Sequence, residues 1–111
     1  MLAKSQRIKQ GRDFHNIYKS GHRVSGRYIL LFFRPGAGES SRVGFVVSKK
    51  VGKAVIRNRA KRRLRALWRE IMPGLKQPFD VVINARPSIK ESSCEELHKD
   101  LLFTLKKAKL C

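Results

Sequence analysis

The first periodic hydrophobic positions are Phe14, Ile17 and Tyr18 in GRDFHNIYKSG. Their helical spacing, with Gly21 placed as a C-terminal stop, predicts a short helix. The run VSGRYILLFFRP, Val24 to Pro35, is rich in aromatic and branched residues and predicts one strand. Its period of two sets Tyr28, Leu30 and Phe32 on one face and Ile29, Leu31 and Phe33 on the other. Both faces are apolar, so both should be covered at least in part. The turn-rich GAGESS, Gly36 to Ser41, then suggests a hairpin into RVGFVVSKK, where Val43, Phe45 and Val47 share a face.

Beyond Gly52 the period changes. Ile56, Ala60, Leu64, Leu67 and Ile71 fall on one narrow helical face, and Met72-Pro73-Gly74 ends the pattern. PFDVVINARP, Pro78 to Pro87, reads as a buried strand between prolines. Strand, long helix and strand in succession suggest a crossover joining parallel strands. A last helix should start at a capping box, either Ser92 with Glu95 or Ser93 with Glu96. Its apolar stripe is Leu97, Leu101, Leu105 and Ala108, and Lys106, Lys107 and Lys109 suit its C-terminal dipole. Glu95, Glu96 and Asp100 are explained by the same dipole better than as metal ligands.

Charge changes the meaning of the long helix. Ten cationic side chains lie between Lys49 and Arg69, and no acid intervenes before Glu70. Arg57, Lys61 and Arg65 form a row beside the apolar face, Asn58, Arg62 and Arg69 lie beyond it, and Arg59 and Arg63 return along the far edge. Ordinary solvated helix faces alternate sign and gain from acid–base pairs four residues apart. This one has no internal acid to relieve the repulsion, so its neutralising partner is expected from outside the chain, as on a nucleic-acid surface.

Composition bounds the rest. The 111 residues suit one domain, and residues 1–10 read as a basic, extended arm. A formal charge of +18 favours a polyanion. No apolar run approaches a bilayer span, and MLAKSQRIKQ carries no apolar signal core, so a cytoplasmic protein without a membrane partner is expected. Cys94 and Cys111 form no C-x-x-C pattern and His15, His22 and His98 are scattered, which argues against a zinc site.

Nothing in the sequence reads as a catalyst. The acids Asp13, Glu39, Glu70 and Asp80 are spread singly, and there is no phosphate loop of Walker form. Two binding signals remain. Arg and Lys rows neutralise phosphates without reading sequence, and aromatics can stack on unpaired bases. Phe14, Tyr18, Tyr28 and Phe32 are the aromatic candidates, each with a place in the core as the alternative.

The block SRVGFVVSKKVGKAVIRNRAKRRLR, with Arg57-Asn58-Arg59, Lys61-Arg62 and the upstream Ser48-Lys49-Lys50, strongly resembles the signature of the bacterial ribonuclease P protein family. Phe14-x-x-x-Tyr18-x-x-Gly21, the Arg27-to-Phe32 strand, Asn84-Ala85-Arg86 and the final amphipathic helix fit in the same order, so the resemblance covers nearly the whole chain. It implies an α+β fold: a two-layer α/β sandwich of order α-β-β-β-α-β-α around a four-stranded sheet, with a short first strand near His22 to Val24. It also implies a left-handed crossover through the basic helix, against the usual hand.

The functional implications follow from the same match. The protein would be the basic subunit of a ribozyme that removes the 5′ leader from precursor transfer RNA, with catalysis by a large RNA. The protein would supply no catalytic residue and no metal site of its own. Magnesium would be required by the RNA-containing holoenzyme, and DNA would not be a partner. Lys49, Lys50, Lys53, Arg57, Asn58, Arg59, Lys61, Arg62 and Arg65 would meet the catalytic RNA and line the leader's path. Phe14, Tyr18 and Phe32 would line the leader-binding cleft. Arg63 and Trp68 receive no RNA role, Trp68 being read as packing. Composition also permits a structural binder of folded RNA without a processing role, against which the Arg57-Asn58-Arg59 block and the cleft aromatics argue, while the missing acid cluster weakens an autonomous nuclease.

Overall fold

A computed structural model describes residues 17–19, 21–36, 41–74 and 79–109. Residues 17–19 are helical and form the part of the first helix, α1, that lies within this range. The chain continues through β1 (His22–Ser25), β2 (Ile29–Pro35), β3 (Arg42–Val46), α2 (Ala54–Ile71), β4 (Phe79–Ala85) and α3 (Cys94–Lys107). The expected basic arm and Phe14 lie outside the described residues. Gly21 donates its backbone N–H to the Ile17 carbonyl at 2.9 Å, closing α1 where the glycine stop was expected.

The four strands form one mixed sheet in the order β1-β2-β4-β3. β2 runs antiparallel to both β1 and β4, and β3 runs parallel to β4. The chain thus crosses over through α2 to bring β4 beside β3, the mixed α+β arrangement implied by the family resemblance. Two expectations are corrected. β2 and β3 do not pair as a hairpin, because β4 separates them. Val81, Val82 and Ile83 are all fully buried, so β4 has apolar groups to hide on both faces and takes a central place. Nor is Val24–Pro35 one strand: it breaks at Gly26–Tyr28 into β1 and β2, with Ser25 opposite Leu30.

The break is held by α3. The Asp100 carboxylate accepts the backbone N–H groups of Arg27 and Tyr28, each at 2.8 Å. Gly26 permits that approach: a Cβ there would lie 2.7 Å from one Asp100 oxygen and 2.8 Å from Thr104 Cγ2. Asp100 therefore binds a turn rather than serving the helix dipole. Tyr28, freed from the strand's alternation, is buried against the helices, and its hydroxyl donates to Glu96 at 3.0 Å. That excludes it as a base-stacking platform.

The main core lies between one sheet face and the two long helices. Ile29, Leu31, Val43, Val81 and Ile83 meet Ala60, Leu64, Trp68 and Ile71 of α2 and Leu97, Leu101 and Leu105 of α3. Ile56 and Leu67 of the expected α2 face are only partly buried, whereas Trp68 is wholly enclosed. Burying one such large side chain stabilises the fold by roughly 1.5–3 kcal/mol. α3 begins with the Ser93–Glu96 capping box, the Glu96 N–H reaching Ser93 Oγ at 3.0 Å and the Ser93 N–H reaching Glu96 Oε1 at 3.1 Å. Among the described residues no helix is long and apolar enough to cross a membrane.

Candidate RNA interface

The second sheet face carries the aromatic site. Alternation along β4 turns Val82 away from Val81 and Ile83, and it forms a separate small cluster with Ile17, Phe32 and Val46. Above that floor Tyr18 stands edge-on to Phe32, with ring centroids 4.7 Å apart and planes at 75°. Its hydroxyl donates to Asn84 Oδ1 at 3.1 Å, which fixes the ring's tilt. Tyr18 is 38% exposed, so its ring is held by the protein yet open to a ligand. Burial raises its pKa and the Asn84 hydrogen bond opposes that rise, so the hydroxyl stays neutral at physiological pH.

Register adds residues that the linear pattern did not single out. Asn84 lies opposite Leu30 in β2 and Val46 in β3, which places it at the end of the sheet where β3 leaves for the basic segment. Arg23 is exposed and faces Phe32 across the β1–β2 pair, so its side chain shares the aromatic face. Period-two counting from Val82 would have reached Asn84. Arg23 lies in the short first strand that the family resemblance implied near His22 to Val24, and its register opposite Phe32 came with the fold.

Toward the other end of that face, Asp80 is nearly fully buried between two guanidiniums. Arg42 donates Nε at 3.0 Å and Nη2 at 2.8 Å, and Arg34 donates Nε at 3.2 Å. Burial alone would raise its pKa, but the hydrogen bonds and charges of Arg42 and Arg34 together hold it below the usual carboxylate range.

The cationic surface starts three residues after Val46. Lys49 and Lys50 are exposed on a 3₁₀ turn, Lys49–Val51, and Lys53 occupies the N-cap of α2 without a side-chain cap. Gly52 joins the two with φ 149° and ψ −162°, a backbone region reserved largely for glycine. The first turn of α2 contains no acid, so the positive end of the helix dipole adds to the lysines. Farther along, Asn58, Arg59, Lys61, Arg62 and Arg65 line one shallow groove beside the exposed Val55. Arg57 stands apart from that groove. It is half-buried, and its Nε has no hydrogen-bond partner among the described residues. Trp68 packs at the centre of the core and takes no part in this surface.

The other acids in contact with this framework already have structural partners. Asp100 holds the β1–β2 turn, and Glu96 is held below its ordinary pKa first by the Ser93 backbone N–H and then by the Tyr28 hydroxyl and Ser93 side chain. Among the described residues no three of His, Cys, Asp and Glu gather as a metal-binding group. The arrangement can therefore stack bases and neutralise phosphates.

The family model described as Ribonuclease P matches residues 2–109. The ribonuclease P protein component of Syntrophomonas wolfei is 43% identical over 110 residues, spanning 99% of this chain and 92% of that protein. Among solved structures, a Staphylococcus aureus RNase P protein mutant with defective mRNA degradation activity superposes with a TM-score of 0.91 at 33% identity, over 97% of this chain and 92% of that one. The RNase P protein of Thermotoga maritima gives a TM-score of 0.82 at 32% identity, over 91% and 96% of the two chains. The chain belongs to the ribonuclease P protein family: it is a subunit of a ribonucleoprotein endoribonuclease of transfer-RNA processing, and its partner is RNA.

Proposed function

We propose that this subunit binds the catalytic RNA of ribonuclease P through the cationic face of α2 and the 5′ leader of precursor transfer RNA through the Tyr18–Phe32 cleft. Cleavage of the leader would be performed by the RNA, in the cytoplasm. The observation that carries the reading is the pairing of two unlike surfaces at one end of the sheet. Asn84 tethers Tyr18 beside Val46, and three residues later the chain enters Lys49, Lys50 and Lys53. A single strand laid across Tyr18 and Phe32 would carry its phosphates toward those lysines and Arg23.

Leader sequences vary among precursors, so their reader should recognise features common to all nucleotides. Stacking and phosphate neutralisation meet that need, since every base has a π-face and every link a charge. Lys49, Lys50, Lys53 and Arg57 would serve the leader's path, with Phe14 completing the aromatic set. Asn58, Arg59, Lys61, Arg62 and Arg65, gathered in one groove, would meet folded RNA. Binding the leader makes precursor a better ligand than mature product and broadens the range of accepted substrates.

The magnesium that the holoenzyme requires would be held by RNA. Among the described residues no three of His, Cys, Asp and Glu gather to hold it, and Asp80, Glu96 and Asp100 are engaged by arginines, a tyrosine, a serine or backbone amides. The protein's part would be to lower the repulsion among phosphates that crowd at the cleavage site.

Titration of a bacterial ribonuclease P RNA with the full chain over a salt series tests this division. Log affinity should fall linearly with log salt, and removing Arg59, Lys61 and Arg65 together should lower the slope by roughly 2–3, at about 0.7–0.9 per phosphate contact. A slope indifferent to those substitutions would remove α2 from the RNA interface.

A further inference from the structure

A second groove adjoins the first along α2, sharing Arg59 and Arg62 with it, where the helix faces a 3₁₀ turn (Pro87–Glu91) and the start of α3. It consists of two adjoining depressions that share Arg59 and Arg63 as a common wall. The first, about 290 Å³, has Ile56, Ala60 and Ile89 as its floor and Lys90 and Glu91 at its rim. The second, about 380 Å³, is floored by Ala66 and Leu67 and ends at Cys94. Each has room for a planar base.

We infer that this groove seats unpaired nucleotides of the RNA subunit, with bases against the apolar floor and phosphates against Arg59, Arg63 and Lys90. The inference rests on the reading that the RNA subunit is the partner of α2, and it adds a site for a different RNA feature. Three observations carry it. The floor is apolar while the rim is cationic, with Glu91 as the acid in the first depression, which suits a base joined to phosphates better than an apolar helix or an acidic peptide. The central guanidinium is already ordered: Arg63 Nη1 donates to the Ser92 carbonyl at 3.1 Å, so little freedom remains to be lost on binding. The groove also sits on the helix side of the sheet, whereas Tyr18 and Phe32 pack on the other face. A leader strand lying in the aromatic cleft is on the wrong face to reach it, so the occupant comes from the RNA subunit. On this account Arg63 and Lys90 join the RNA-binding residues.

Ala66 is exposed on α2 and lines the second depression, so a charge can be introduced there without entering the core. The test measures affinity of the full chain for a bacterial ribonuclease P RNA over a salt series, for wild type, A66E, A66K and the R63A/K90A double variant. It also measures the ratio of precursor to mature transfer-RNA affinity in each reconstituted holoenzyme. A66E should weaken binding on the order of ten-fold while A66K does not, and R63A/K90A should lower the salt slope by about 1–2. The precursor-to-mature ratio should stay at its wild-type value. Wild-type affinity and slope in both A66E and R63A/K90A would overturn the inference and leave the proposed function standing. Equal loss in A66E and A66K would mark distortion rather than charge and would overturn it too. Loss confined to the precursor-to-mature ratio would assign the groove to the leader and refute the RNA-subunit occupant. A wild-type chain that binds no ribonuclease P RNA would overturn both readings.

Discussion

Tyr18 offers the sharpest separation between a platform and a framework residue. Its ring is partly open above Phe32 at 4.7 Å, while its hydroxyl spans 3.1 Å to Asn84 at an exposed position. Replacing it with alanine removes the stacking surface, worth on the order of 1–3 kcal/mol for one base. At about 1.4 kcal/mol per ten-fold, that is a loss of roughly 5- to 150-fold in affinity for a precursor carrying its leader. Phenylalanine keeps the ring and removes only the Asn84 hydrogen bond. Such a bond contributes about 0.5–1.5 kcal/mol net, and less where water can replace the partner. Tyr18→Phe should therefore change precursor affinity by no more than about three-fold. The assay is equilibrium binding of precursor and mature transfer RNA to the reconstituted holoenzyme, read as the ratio of the two dissociation constants. Only the precursor should weaken in Tyr18→Ala. An unchanged ratio in Tyr18→Ala, or an equal loss in Tyr18→Phe, would refute the stacking role.

Further predictions concern the framework that presents this face. Neutralising Asp80 with Asp80→Asn removes the acceptor charge between Arg34 and Arg42, which are partly exposed at 26% and 30% and can turn to water, so the loss should be about 2–3 kcal/mol in urea unfolding. The same pair sets a pH dependence. Because the folded-state pKa of Asp80 is depressed, its stabilisation is complete above the unfolded value near pH 4 and drains as pH falls through the lower folded value. Wild type and Asp80→Asn should therefore converge in stability in acid, and parallel acid-unfolding curves would contradict that. Gly26→Ala should lower stability by roughly 1–3 kcal/mol, since its Cβ meets Asp100 oxygens at 2.7 and 2.9 Å that the Arg27 and Tyr28 amides hold in place. Gly74→Ala, with no atom within 4 Å of the new Cβ, is the control and should move the unfolding midpoint little.

What could be read in advance followed local periodicity. The α2 face, the Ser93–Glu96 box and the Leu97, Leu101 and Leu105 stripe depend on residues three or four apart, so sequence spacing located them. The parallel relation of β3 and β4 was legible because a long helix intervenes. The hairpin expected at GAGESS failed because adjacency in a sheet is decided by which strand has two apolar faces, and Val81-Val82-Ile83 wins the central place from afar. The split of Val24–Pro35 was hidden for a related reason: the acceptor for its turn is Asp100, 73 residues beyond Arg27. Of the site, the cationic row and the aromatic pair were visible as residue types at family spacing. Asn84 was within reach of period-two counting from Val82, whereas the place of Arg23 opposite Phe32 came only with strand register.

The central claim is that this chain assists an RNA catalyst without supplying chemistry of its own. The most direct measurement is cleavage of a 5′-labelled precursor transfer RNA at low magnesium by a bacterial ribonuclease P RNA, with and without the protein. The account predicts strong stimulation of cleavage at the correct 5′ site, its loss on combined Arg57, Arg59 and Lys61 substitution, and no cleavage by the protein alone. Cleavage by pure protein, or an RNA whose activity is indifferent to the chain, would contradict it.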